Sequence, residues 1–171
     1  MKTPQAANGQ RRAFLATLPI GGAALLPGAV RAAASCSVAF NRAAYERYVG
    51  FMNAEDPRFV EYYADDIKFE MNIRGRSNVL DFYRHQWPYV KETLEISFFC
   101  SDAAGAAAQV RSELRCLKDN NDTTTFGRAL KAGEVQRVRG YVFYTLNAQG
   151  LITEIKGPPP EILQPWRLEA A

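Results

Sequence analysis

Hydrophobic positions recur along this chain at two spacings, first mostly helical and then strand-like. From 37 to 54 the apolar residues Phe40, Ala44, Tyr48, Phe51 and Met52 fall at helical spacing, with Arg42, Glu46 and Arg47 on the other side. Asp56-Pro57 opens a second, shorter helix, a capping carboxylate followed by proline at the first helical position; Phe59, Val60 and Tyr63 form its apolar side. Asp65-Asp66 stops it. Alternation follows, placing Ile67, Phe69 and Met71 on one face of a strand and Lys68 and Glu70 on the other. Gly75-Arg76-Ser77 starts a third helix whose stripe is Val79, Phe82, Tyr83, Gln86, Trp87 and Val90, bent or ended by Pro88.

Beyond that point the pattern is that of strands. Residues 93–100 and 106–117 read as a pair joined by a turn, and the polar stretch 118–133 reads as a long loop. The strongest signal is a hairpin from Val135 to Leu146 and back from Leu151 to Lys156, around Asn147-Ala148-Gln149-Gly150. Pro158-Pro159-Pro160 is expected to end the sheet, because consecutive prolines donate nothing to a ladder. The last ten residues then form a tail, with Trp166 packed back on the domain or at a dimer contact. Helix, helix, strand, helix and four strands give an α+β fold, helices gathered on one face of a mainly antiparallel sheet.

The first 34 residues stand apart. Gln10-Arg11-Arg12-Ala13-Phe14-Leu15 is a twin-arginine pattern leading an apolar stretch, 13–30, and Arg31 precedes the small-residue run Ala32-Ala33-Ala34. This predicts a twin-arginine signal peptide over 1–34 and a mature domain over 35–171, periplasmic or secreted. Gly21-Gly22, Pro19 and Pro27 argue against a membrane-spanning helix there. The segment holds four basic residues and no acid, so its removal takes the formal charge from +3 to −1. No basic patch then points to nucleic acid. Cys36 follows the cut, and Ala33-Ala34-Ser35-Cys36 resembles a degenerate lipobox, leaving a lipid anchor or a free terminal thiol open. Cys100 and Cys116, at opposite ends of the expected strand pair, are roughly 30 Å apart by strand rise, too far for a disulfide. One histidine, His85, and unclustered cysteines offer no metal site, and there is no phosphate-binding loop or nucleophile elbow. No cofactor is expected, although export in the folded state leaves cofactor binding open.

Four stretches, 48–56, 62–70, 75–83 and 141–155, resemble the NTF2-like superfamily in its SnoaL-like and ketosteroid-isomerase-like branches. The resemblance implies a cone: a curved sheet wrapped by helices around an apolar cavity, commonly a homodimer. It does not imply one chemistry, because function on such a fold depends on the site. In ketosteroid isomerases a carboxylate base on the first strand works with a tyrosine and a second acid. Tyr48 stands where that tyrosine would be, but Met71 and Val142 occupy the two acidic positions. In limonene-epoxide hydrolases an Arg-x-Asp element and a second acid activate water with a Tyr and an Asn. Arg111-Ser112-Glu113 matches the first element with Glu for Asp, while Phe69, Met71 and Gly157 replace the rest.

Arg111, Glu113 and Arg115 share one face of their strand, and Val110, Ser112 and Leu114 the other. Pointing inward, the charged set would be a buried functional group; pointing outward, a solvated pattern paired with Arg137 and Arg139. Two functions remain open. One is a lyase, isomerase or hydrolase acting on a small apolar or aromatic molecule, with Glu113 as acid/base, Arg111 as its electrostatic partner and Tyr48 as hydrogen-bond donor. The other is a binding domain without catalysis. Either pocket is expected to include Phe69, Met71, Phe82, Trp87, Val142 and Tyr144.

Overall fold

The computed structural model describes residues 40–169, so the twin-arginine segment and Cys36 lie outside the described residues. Helix α1 (Arg42–Asn53) starts where the Asn41 side chain accepts from the Ala44 N–H, and it buries Ala44, Tyr45, Tyr48, Val49 and Met52. The second helix is a 3₁₀ segment, Pro57–Tyr62, capped by the Asp56 carboxylate. Tyr63 already belongs to strand β1 (Tyr63–Lys68), earlier than alternation alone suggests. Helix α2 (Arg76–Gln86) follows, then β2 (Val90–Ser101), β3 (Gly105–Cys116), β4 (Glu134–Leu146) and β5 (Ile152–Lys156).

The sheet order is β1-β5-β4-β3-β2, with β1 parallel to β5 and the other pairs antiparallel. This is the expected curved, mainly antiparallel α+β architecture. The concave face carries the core. Phe40, 1% exposed, meets Tyr45, Tyr48, Tyr62, Phe99 and Tyr144 edge-on at ring-centre distances of 5.7–6.2 Å.

Three expectations need correction. The prolines do not end the sheet: they carry the chain across to β6 (Glu161–Leu168), which pairs with the first half of β4 while β5 pairs with its second half. Gly157 makes the crossing possible, since a Cβ there would stand well inside contact distance of the Tyr141 carbonyl oxygen. Trp166, on β6, packs against Phe126 at 5.7 Å. Second, Met71 is not on a strand. After Lys68 a bridge to Arg74 and the Phe69 N–H to Ile73 carbonyl bond close a tight 3₁₀ turn, Glu70–Asn72. Met71 and Asn72 there take φ of 56° and 61°, strained for non-glycine residues, and Met71 is 55% exposed. Third, the stretch between β3 and β4 is folded. Asn120 and Leu130 bridge, Leu130 is fully buried, and the buried Glu134 carboxylate takes Arg128 at 2.8 Å and the Lys131 N–H at 2.7 Å.

Candidate active-site cavity

Strand period decides what faces the interior. On β3, Ala106, Ala108, Val110 and Ser112 are buried, and Arg111, Glu113 and Arg115 therefore face out. The placement of Glu113 and Arg111 at a catalytic centre is thus corrected: neither lines the cavity. Glu113 accepts from Arg115 at 3.0 Å and from Arg137 at 2.9 Å across the β3–β4 ladder. Desolvation pushes its pKa up, but the hydrogen bonds from Arg115 and Arg137 outweigh it and hold the carboxyl below its ordinary value. Arg137 also reaches Gln164 and Glu169, and Arg139 meets Glu161 at 2.9 Å. Hydrogen bonds from Arg137 and Gln164 lower the Glu169 pKa to about 2. These charges link β6 to its ladder neighbour β4 on the outer face of the sheet.

The inner face encloses a cavity of about 220 Å³. Of the expected lining, Phe69, Val142, Tyr144 and Tyr48 are in place. Trp87 lines a smaller neighbouring chamber. Phe82 lines neither and packs against Phe69 and Tyr83; Met71 belongs to an open groove outside the mouth. His85 is exposed and away from the cavity. The Tyr48 and Tyr63 hydroxyls share a hydrogen bond of 2.8 Å, and those of Tyr45 and Tyr144 one of 3.2 Å. Desolvation raises the Tyr48, Tyr63 and Tyr144 pKa values, so these phenols are neutral donors.

The cavity's main titratable group is Glu92, on the inner face of β2 in the series Val90, Glu92, Leu94, Ile96. Its side chain is half-buried and lines the cavity. Ser112 Oγ donates to Glu92 Oε1 at 2.5 Å, a diagonal contact because Glu92 pairs with Leu114 and Leu94 with Ser112. Burial raises the Glu92 pKa, and the Ser112 bond only partly offsets it. Glu70, exposed at the mouth, is a second carboxyl whose pKa burial raises. No Lys, Arg or His lines the cavity among the described residues. They also hold no grouping of three or more metal-ligating side chains and no helix long and apolar enough to cross a membrane. Cys100 and Cys116 are both free.

Sequence reasoning missed Glu92 because the strand was expected to begin at Thr93, three residues after its observed start at Val90. Its signal was present: a carboxylate interrupting the alternating apolar run Val90, Leu94, Ile96.

A helix-wrapped, curved sheet with an apolar cavity and an interior carboxyl defines an α+β domain built to hold or transform a small molecule. The chain belongs to the SnoaL-like domain family, whose profile matches residues 45–155. No curated protein matches it. Among solved structures, a candidate polyketide cyclase from Pseudomonas putida KT2440 has a TM-score of 0.56 and 18% identity, covering 67% of this chain and 86% of that one. An LEH-like epoxide hydrolase from M. tuberculosis has a TM-score of 0.53 and 16% identity, over 70% and 80%. Another M. tuberculosis protein, in complex with estradiol-17β-hemisuccinate, has a TM-score of 0.51 and 19% identity, over 67% and 89%. At these identities the likeness is one of fold.

Proposed function

We propose that the mature domain takes an uncharged apolar or aromatic molecule into the cavity and that Glu92 transfers a proton on it, as a lyase, isomerase or hydrolase. The observation that carries this reading is a carboxyl of raised pKa inside an apolar cavity lined by no basic side chain. Such a site favours a neutral guest, because an anion would shed its hydration with nothing opposite to compensate. A cavity of about 150 Å³ holds benzene, so 220 Å³ suits roughly ten heavy atoms. Glu92 is the acid/base, Tyr48 polarises a substrate oxygen, and Glu70 stands at the entrance. That one structural neighbour is in complex with estradiol-17β-hemisuccinate and another is an epoxide hydrolase supports a small-molecule role in general.

A second reading, a binder without catalysis, is favoured by the tyrosine hydroxyls being bonded to one another. Calorimetry with purified residues 35–171 tests the neutral-guest claim shared by both. At pH 7, 1-tetralone is expected to bind at least about tenfold more tightly than 1-naphthoate, roughly 1.4 kcal/mol. Equal or tighter binding of the naphthoate contradicts it.

The twin-arginine pattern supports export of the folded domain to the periplasm or beyond, and the degenerate lipobox makes Cys36 the alternative, lipidated start. The outer sheet face supports a homodimer: Phe98, Tyr141 and Phe143 are 53%, 43% and 49% exposed, on β2 and β4 beside the charged ladder. Intact and native mass of the exported protein check both. The expected result is a chain starting at Ser35 and a particle of twice its mass. An uncleaved chain or a monomer overturns the corresponding part, and a lipid mass on Cys36 moves the start to that residue.

A further inference from the structure

Behind Glu92 lies a second chamber of about 20 Å³, walled by Glu92, Gln86, Tyr83 and Trp87 and reaching Asn53 and Glu55 at the end of α1. Gln86 Nε2 is the one buried side-chain nitrogen or oxygen without a hydrogen-bond partner among the described residues. An orphaned amide of this kind calls for an explanation, since leaving a buried donor unpaired is unfavourable. The chamber has the volume of one water, which needs about 10–15 Å³ of probe-occupied space and two or more polar partners. Its other polar walls are largely committed. Asn53 donates to the Leu94 carbonyl at 2.9 Å and accepts from the Leu94 N–H at 2.7 Å, while Glu55 faces Lys91 at 3.1 Å. Ser112 occupies one oxygen of Glu92. Gln86 and the other Glu92 oxygen are left to hold a guest, together with the Tyr83 hydroxyl and the Trp87 indole N–H on the same wall.

We propose that Gln86 is a positioning residue that seats a water against Glu92, and that this water links the carboxyl to solvent at the Asn53–Glu55 end of the chamber, away from the ligand cavity. The Glu55 side chain is 31% exposed, which gives that end an outlet. The proposal rests on Glu92 being the proton-transfer group. A proton that Glu92 gives to a ligand is replaced by one from the water, which takes its own from solvent. The net event is one proton from solvent to ligand, with no change in the protein and no second reactant. A guest filling the 220 Å³ cavity therefore does not isolate the acid from solvent. Gln86 is the last residue of α2, where the Tyr89 N–H ties down its carbonyl at 2.8 Å, and it lines the chamber from that helix end.

The test compares the mature wild-type domain with Gln86→Met, a swap of similar length that removes the donor. Crystals of the wild type are expected to show a water within about 3.2 Å of both Gln86 Nε2 and a Glu92 oxygen. Carbon-13 titration of Glu92 is expected to move upward in Gln86→Met by a unit or more, because a hydrogen bond to the charged form is lost. Thermal stability should change little. A chamber without that water, or an unshifted Glu92 titration in a folded Gln86→Met, overturns the proposal. Tetralone binding, read on the same samples, separates the two ideas: binding with an unshifted titration rejects the water link alone. No binding in either protein rejects the cavity's proposed function instead.

Discussion

Glu92→Gln is expected to remove turnover while leaving the fold intact. The amide keeps an oxygen for Ser112 Oγ, now 2.5 Å from Glu92 Oε1, and nearly the same volume, so the inner face of β2 should pack as before. What it loses is an exchangeable acidic proton, and general acid–base catalysis typically contributes about 10²–10⁴-fold. The loss should appear in the rate more than in binding of a neutral probe. The same variant has a signature independent of substrate. Burial raises the folded-state pKa of Glu92 above its unfolded value, so its protonated form favours the folded state. That contribution is fully present below the unfolded pKa and is lost as pH rises through the folded one, each unit of elevation being about 1.4 kcal/mol. Gln has no such dependence. Glu92→Gln should therefore gain stability relative to wild type between pH 4 and pH 8, measured by urea midpoints. Parallel pH curves would show that Glu92 titrates as an ordinary surface carboxyl. Glu113→Gln offers the contrast. Its folded pKa is lowered, so wild-type stability from that group is present above the unfolded pKa and fades as pH falls.

Tyr63→Ala is expected to be the most damaging single change to the fold. Tyr63 is fully buried at the start of β1, paired in register with Ile152, and its ring lies edge-on to Phe59 at 5.7 Å. Its hydroxyl holds Tyr48 at 2.8 Å. Removing a buried aromatic ring costs about 3–5 kcal/mol, a large share of the roughly 5–15 kcal/mol that holds such a domain folded. Tyr63→Phe removes only the shared hydrogen bond, about 1 kcal/mol, and leaves the Tyr48 hydroxyl free for a ligand. Urea unfolding of the pair reads the difference. A loss below 1 kcal/mol for Tyr63→Ala would mean that Tyr63 is not packed in the core as described.

The contrast between these two residues shows what the sequence made legible. Segments whose period is unbroken were readable: the stripe of α1, the long β3 and β4, and the turn at 147–150 with Asn147 accepting from Gln149 and Leu151. The inside–outside split of β3 followed from its alternation, and Ser112 fell on the inner face as that alternation requires. What failed was local geometry that period does not encode. Glu70 and Met71 exchanged roles because two successive positive-φ residues break the strand after Lys68. β6 was hidden because three prolines normally forbid pairing, and the chain evades the rule by pairing only after them. Glu92 was hidden by a strand start placed three residues too late. The partial likeness of Arg111-Ser112-Glu113 to a known element also drew the expected site to side chains that face away from the cavity.

The most direct measurement is a crystal of residues 35–171 soaked with 1-tetralone. The result expected is the ketone inside the cavity, its oxygen within hydrogen-bond reach of the Glu92 carboxyl or the Tyr48 hydroxyl. A cavity that stays closed to the ketone, or the ketone bound on the outer face beside Glu113 and Arg111, would contradict the assignment of function to the interior of the cone.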